Sequence, residues 1–235
     1  MKRLYIRLNG VQTPLITWGD PISNNENVII CITGNPGISD FYIEFASELF
    51  KSMSIPICVI GHAGHEESLD KKNKYLFNLK DQLEHKLDLI ENHINKNSKI
   101  HLIGHSIGAW MIIELIHKQS IYIWIKSIPS KFSSAIIKIL NPDVVENIFY
   151  LAFNEMDTVL SLNTESIQKI KHLTNVVYAR NDGWAPVEYI EDLKQFTPQL
   201  QIREAFNVEH AFVLKSSVEV ASIVADFINT KKNIS

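Results

Sequence analysis

The fold is decided by the stretch Gly104-His105-Ser106-Ile107-Gly108, which follows an apolar run at residues 100–103 and opens a helical pattern. A G-x-S-x-G pattern between a strand and a helix is typical of a nucleophile elbow, in which the serine sits on a sharp turn above the sheet edge. The glycines are needed because side chains beside so tight a turn would clash. An ordinary loop whose serine caps the helix fits the pattern equally well, so the rest of the chain must separate the two interpretations.

An acid candidate follows a later strand pattern. A serine hydroxyl needs a base to take its proton, and the base needs an acid to orient it. Residues 175–179 read as a buried strand and run into Asp182, ahead of Pro186, which is predicted to start the next helix. Asp182 is therefore predicted on a loop at the carboxyl end of that strand.

The base candidate is His210. It follows an alternating strand pattern at residues 200–204 and precedes a final helix predicted from about residue 216 to 228. The chain order Ser106, Asp182, His210 is that of the α/β-hydrolases and differs from the other two common orders of such triads. The sequence therefore predicts this triad on an α/β fold with a mostly parallel sheet.

An oxyanion hole is predicted after the continuous apolar run at residues 28–32, which is typical of a strand buried on both faces. The run ends in Thr33-Gly34-Asn35-Pro36-Gly37, and such a glycine-rich turn presents backbone N–H groups outward. We assign one donor to the N–H of Asn35 and the other to the N–H of Ile107. The turn alone would read as a plain loop. Four such pieces in the right order favour a catalytic site.

Several of these stretches resemble the lipid droplet-associated hydrolase family, a branch of the α/β-hydrolases. The resemblance covers nearly the whole chain, and its motifs are specific in combination. They are the stretches G-N-P-G at 34–37, H-A-G-H at 62–65, G-H-S-I-G at 104–108, E-M at 155–156, D-G-W-A-P at 182–186 and H-A-F-V at 210–213. The resemblance implies a serine hydrolase that associates with lipid droplets, linked to sterol ester turnover, with its triad on Ser106, Asp182 and His210.

The chain departs from that family at one place. Members usually carry a longer stretch, with a sheet strand and a bulky lid, where this chain has only about residues 118–154. Residues 121–125 read either as the sixth strand with a trimmed lid or as part of a lid helix, and the sequence leaves both open. The segment from Tyr122 to Phe132 mixes aromatic side chains with lysines, which predicts attachment to a lipid surface there.

Composition limits the number of domains and the kinds of partner. With 235 residues, 46% of them hydrophobic, the chain suits one domain over residues 1–235, with a small lid insertion at about 119–173. A net charge of −3 argues against nucleic acid as a partner. No apolar run is long enough to span a bilayer, so any membrane contact is predicted to be superficial.

Metal and cofactor sites are not expected. His62 and His65 lie close together in sequence, but without a carboxylate at ligand spacing they read as part of a pocket wall. Cys31 and Cys58 both fall in predicted buried strands, which favours free thiols in a reducing cytoplasm over a disulfide. The proposed chemistry needs no cofactor.

The function predicted from these patterns is cleavage of hydrophobic esters, with sterol esters suggested by the resemblance. The predicted partners are the ester substrate and the droplet monolayer, and the predicted location is the lipid droplet surface in the cytoplasm, or the surface of the endoplasmic reticulum membrane. Two alternatives stay open: a droplet-binding or structural protein with little catalytic activity, and another acyl-transfer enzyme such as a thioesterase.

Overall fold

The computed structural model describes residues 1–24, 26–66, 75–116, 138, 141–180, 182 and 184–232. These residues form a five-stranded sheet in the order β1-β2-β4-β3-β5 and a two-stranded sheet of β6 and β7. The strands are β1 (Lys2–Leu8), β2 (Val11–Trp18), β3 (Asn27–Ile32), β4 (Ile57–Ile60), β5 (Lys99–Gly104), β6 (Asn175–Tyr178) and β7 (Gln201–Glu204). The helices are α1 (Ile43–Met53), α2 (Leu79–Asp88), α3 (Ile107–Ile116), α4 (Pro142–Thr158), α5 (Thr164–Ile170), α6 (Tyr189–Lys194) and α7 (Ser217–Lys232).

Strand β3 is the centre of the larger sheet. It pairs in parallel with β4 on one side and with β5 on the other, whereas β1 and β2 add antiparallel pairs at one edge. Alternate residues of β3 enter different cores: Ile29 packs in the core that includes α1 and α7, and Ile30 packs in the core that includes α2 and α3. Burial on both faces explains the continuous apolar run and confirms the predicted α/β class.

The N-terminal strands form a hairpin in which Leu8 pairs with Val11. Asn9 and Gly10 make the turn, with φ of 44° and 79°. Positive φ at both positions is what a two-residue turn of type I′ requires, and asparagine and glycine tolerate it best. The sequence pattern Asn-Gly therefore places β2 beside β1.

The second sheet brings the two later loops together. β6 and β7 pair in parallel, Tyr178 opposite Glu204, so the chain leaves both strands at the same edge. Asp182 follows β6 and His210 follows β7, which places both residues at that edge. Residues 121–125, predicted as a sixth strand or a lid helix, lie outside the described residues, as does the whole segment from Tyr122 to Phe132 predicted to attach to lipid.

One helix boundary differs from the sequence prediction. The helix predicted to start at Pro186 begins instead at Tyr189, because a tighter turn comes first, in which the N–H of Tyr189 bonds the carbonyl of Pro186 at 3.0 Å. Helix α2 ends at Asp88 and continues as a π-helical turn over Leu89–His93.

Cys31 and Cys58 are free and buried, as predicted. Among the described helices, none combines the length and the hydropathy that a membrane span requires. Within the predicted insertion at 119–173, the described residues include α4 and α5, and α4 contacts the loop that follows β3.

Candidate active site

Ser106 sits on a strained turn between β5 and α3. Its φ is +51°, in the left-handed region that a residue with a side chain seldom adopts. The flanking glycines are required by close packing. A Cβ at Gly104 would lie 2.6 Å from the backbone of Ala109, and a Cβ at Gly108 would lie 2.4 Å from the carbonyl oxygen of Thr33. The sequence therefore forms the elbow because only glycine fits at these two positions.

Ser106, His210 and Asp182 form a hydrogen-bonded chain. His210 Nε2 lies 3.3 Å from Ser106 Oγ, and His210 Nδ1 lies 2.9 Å from Asp182 Oδ2. An ionised carboxylate only accepts hydrogen bonds, so the proton of a neutral His210 belongs on Nδ1. Nε2 is then free to accept the hydroxyl proton of Ser106, which is the arrangement that a general base needs.

The Asp182 carboxylate is held on both oxygens. Its Oδ1 accepts hydrogen bonds from the backbone N–H groups of Trp184 and Ala185, each at 2.9 Å, while Oδ2 faces His210. Burial alone would raise the pKa of Asp182, but the hydrogen bonds from His210 and these two N–H groups outweigh it and hold the pKa below its ordinary value. Asp182 is therefore kept ionised and fixed in orientation.

The loop with the predicted oxyanion donors lies against the elbow. A Cβ at Gly34 would lie 3.1 Å from Ser106 Cβ, so the chain passes beside the serine at this point. Asn35 follows Gly34 directly, and Ile107 follows Ser106. The structure thus brings both residues assigned as backbone donors close to the serine.

Tyr42 ties this loop to the elbow. Its hydroxyl oxygen accepts a hydrogen bond of 2.7 Å from the N–H of Gly34, and the same hydroxyl contacts His105 Nδ1. Tyr42 and His105 are both buried. Burial, and then the nearby charge of His210, lowers the pKa of His105 to about 3, so this ring stays neutral beside His210.

A second support comes from the loop at residues 62–65. Gly37 donates its N–H to His65 Nδ1 at 3.0 Å and accepts a bond of 2.9 Å from the N–H of His62. Gln82 of α2 holds this loop in turn, accepting the N–H of Ala63 and donating to its carbonyl, both at 2.9 Å. His62 and His65 therefore form part of the wall behind the site, as the sequence indicated.

Sequence reasoning did not assign roles to Tyr42 or Gln82. For Gln82 a signal existed: it lies on the buried face of α2 with Leu79 and Lys86, where a helix pattern calls for apolar residues. Lys86 is fully buried and donates to Gln82 Oε1 at 3.0 Å and to His85 Nδ1 at 3.1 Å. Burial lowers the pKa of the Lys86 ammonium well below its ordinary value.

Helix α4 covers the site from the other side. The side-chain amide of Asn35 donates to the carbonyl of Ile148 at 3.0 Å. Glu155 lies about two helical turns after Ile148. Burial raises the pKa of Glu155, and the charge of the nearby His210 lowers it. Glu155 of α4 therefore lies close enough to His210 for their charges to interact. In the described part of the chain, no three His, Cys, Asp or Glu side chains are grouped to hold a metal ion.

Solved structures of low sequence identity share this fold. A serine hydrolase involved in carbazole degradation superposes with a TM-score of 0.76 at 12% identity, covering 97% of this chain and 99% of its own. A putative lipase from Acinetobacter baumannii superposes with a TM-score of 0.70 at 14% identity, covering 100% and 93%. The fold of this chain is the α/β-hydrolase fold, with a mostly parallel sheet flanked by helices.

Sequence comparison gives the family. The sequence profile of the family described as "Lipid-droplet associated hydrolase" matches residues 25–124 and 119–213. The lipid droplet-associated hydrolase of Drosophila melanogaster is 31% identical over 307 aligned positions, covering 100% of both chains. Its counterpart in Mus musculus is 27% identical over 303 positions, covering 94% of this chain and 93% of its own. The chain belongs to the lipid droplet-associated hydrolase family, which confirms the resemblance, and it is a hydrolase.

Proposed function

We propose that this protein is a serine ester hydrolase that acts on hydrophobic esters at the surface of lipid droplets. The observation that carries the proposal is the chain of hydrogen bonds from Asp182 through His210 to Ser106, at 2.9 and 3.3 Å, on a strained elbow. Family membership supports the droplet location, and we propose sterol esters as one substrate class.

In the proposed reaction, Ser106 Oγ attacks the ester carbonyl while His210 Nε2 takes the hydroxyl proton. The carbonyl oxygen gains the negative charge and is received by the N–H groups of Asn35 and Ile107. His210 then gives its proton to the departing alcohol, which leaves an acyl group on Ser106. Water attacks this acyl group with His210 again as the base, and the acid is released with the serine restored. Asp182 stabilises the imidazolium form of His210 at both stages.

A fluorophosphonate probe tests the proposal because it reacts with an activated serine. We expect the wild-type protein to be labelled and Ser106→Ala to lose labelling completely, with an unchanged melting curve. Ser39→Ala is not a suitable control because that buried hydroxyl bonds Glu66, so an exposed serine such as Ser52 is substituted instead. Equal labelling of Ser106→Ala would overturn the assignment of the nucleophile.

A substrate panel then separates the alternatives. Short and long acyl esters, a cholesteryl ester and matched thioesters are compared by kcat/KM. The proposal expects the highest values for apolar oxygen esters. Faster thioester cleavage would favour the thioesterase alternative, and labelling without turnover of any ester would favour a droplet-binding role.

A further inference from the structure

The outer face of α4 is apolar and exposed. Phe149, Phe153 and Met156 recur at the spacing of one helix face and are 59%, 62% and 62% exposed. Tyr150 lies beside them, and Leu160, just after the helix, is 79% exposed. Large apolar side chains that are exposed singly are ordinary, but a continuous stripe of them marks an interaction surface.

The inner face of the same helix is part of the candidate active site. Val144 and Leu151 are buried there, the carbonyl of Ile148 binds the Asn35 side chain, and Glu155 lies near His210. Helix α4 therefore packs one face against the candidate active site and exposes the other.

Trp184 adds a second apolar group at the site. It lies two residues after Asp182, is 84% exposed, and has its ring centroid 6.4 Å from that of His210. Tryptophan is favoured at the boundary between lipid and water because its ring is apolar and its N–H is polar. Trp184 therefore offers an exposed apolar ring close to His210.

The charges around this surface restrict what it can contact. Helix α4 contains no lysine or arginine, and its acidic residues Asp143, Glu146 and Asp157 flank the apolar stripe. Anionic lipid headgroups attract surfaces rich in lysine and arginine, and this surface would repel them. The stripe is apolar and has acidic residues at both ends. It therefore suits a lipid layer whose headgroups carry no net charge and cover an uncharged apolar phase.

We propose that Phe149, Phe153 and Met156 of α4, together with Trp184, seat the protein in the phosphatidylcholine monolayer of a lipid droplet. Trp184 then lies in the monolayer with its ring near that of His210. The inference rests on the droplet location in the proposed function and names the surface and the lipid chemistry that would achieve it.

Flotation with artificial droplets tests the surface. The droplets have a triolein core and a phosphatidylcholine coat, and the full chain carries Ser106→Ala so that binding is measured without turnover. We expect Phe149→Gln, Phe153→Gln and Met156→Gln together to lower the ratio of bound to free protein by roughly tenfold or more, and Trp184→Ala to lower it further. Tyr5→Gln and Val218→Gln are matched controls, since these residues are 52% and 57% exposed on β1 and α7, and they should float as the parent does.

Fluorescence tests the orientation independently. The difference between the emission of the parent and that of Trp184→Phe reports Trp184 alone among the 4 tryptophans. With acyl-brominated phosphatidylcholine in the coat, we expect this difference signal to be quenched and shifted to shorter wavelength. Binding should also be insensitive to salt and should not rise when phosphatidylserine is added.

Several results would overturn the proposal. One is a folded α4 variant, judged by its melting curve, that floats like the parent. Another is an unquenched Trp184 signal on droplets that do carry the protein. A third is binding that rises severalfold with phosphatidylserine and falls with salt. None of these depends on whether Ser106 is a nucleophile, so failure here is distinct from failure of the hydrolase proposal.

Discussion

His210 Nε2 lies 3.3 Å from Ser106 Oγ, although the two residues are 104 positions apart in the chain. The distance is slightly longer than an ordinary hydrogen bond to a hydroxyl, as is common for such pairs before substrate binds. The pair is held from both ends: the elbow fixes Ser106, and Asp182 fixes the imidazole ring.

Replacing Asp182 by asparagine should preserve the shape of the loop but favour the wrong tautomer of His210. By analogy with the equivalent change in a serine protease, we expect ester turnover to fall by on the order of 10⁴. The measurement is kcat on a soluble ester, with Asp192→Asn on the exposed face of α6 as the matched control. A rate within a few-fold of wild type would move the role of the acid to another carboxylate, such as Glu155.

Replacing Tyr42 by phenylalanine removes only the hydroxyl that accepts the Gly34 N–H. The buried N–H loses its partner, which should lower the free energy of unfolding by about 1–3 kcal/mol. Because Gly34 precedes the proposed donor Asn35, we also expect kcat to fall roughly 10- to 100-fold with little change in KM. Tyr189→Phe, at an exposed position, serves as the control. An unchanged kcat would show that this hydroxyl does not position the oxyanion loop.

Replacing Gln82 by methionine keeps the side-chain volume but removes the hydrogen bonds to Ala63 and Lys86. Several buried groups are then left without partners, so we expect the free energy of unfolding to fall by about 2–5 kcal/mol. Chemical denaturation measures the loss, and Glu84→Gln on the exposed face of the same helix is the comparison. A loss below about 0.5 kcal/mol, the range of ordinary surface changes, would contradict the importance of this support.

Stability should fall as the pH is lowered from about 6.5, because several buried histidines resist protonation in the folded protein. Burial lowers the pKa of His62, His65, His85 and His105, and for His65 the value falls to about 3. A histidine whose pKa is lower in the folded than in the unfolded chain makes its full contribution to the free energy of unfolding at pH values above its unfolded-state pKa. As the pH falls below that value, the unfolded chain binds a proton that the folded chain does not, and unfolding becomes easier.

His85 offers a clean test of this pH dependence. It accepts a hydrogen bond from Lys86 at Nδ1, and its Nε2 lies 2.7 Å from the hydroxyl oxygen of Thr13, so a glutamine could make both contacts without titrating. We expect His85→Gln to reduce the slope of unfolding free energy against pH by about 1.4 kcal/mol per pH unit below pH 6. Denaturation curves at several pH values measure the slope. An unchanged slope would mean that His85 does not carry this proton linkage.

Much of the fold follows from local sequence. The Asn9-Gly10 turn is encoded by residues that accept positive φ, the buried strands by continuous apolar runs, and the elbow by glycines at positions 104 and 108. The candidate site residues could also be predicted from the sequence, because each follows a strand and parallel strands end at the same edge of a sheet. The helix start at Pro186 was predicted wrongly because proline fits the first helical position and an isolated turn equally well.

The sequence by itself determined the α/β class and the family, and it identified Ser106, Asp182 and His210 as candidate catalytic residues. These features depend on periodicity and on residue types at short spacing in the chain. Only the tertiary structure decided that Tyr42 and Gln82 support the loops at residues 34–37 and 62–65, that Glu155 lies near His210, and that Trp184 and the outer face of α4 are exposed. These relationships join residues from elements far apart in the chain. No local pattern encodes them, because they arise from how the helices pack against the sheet.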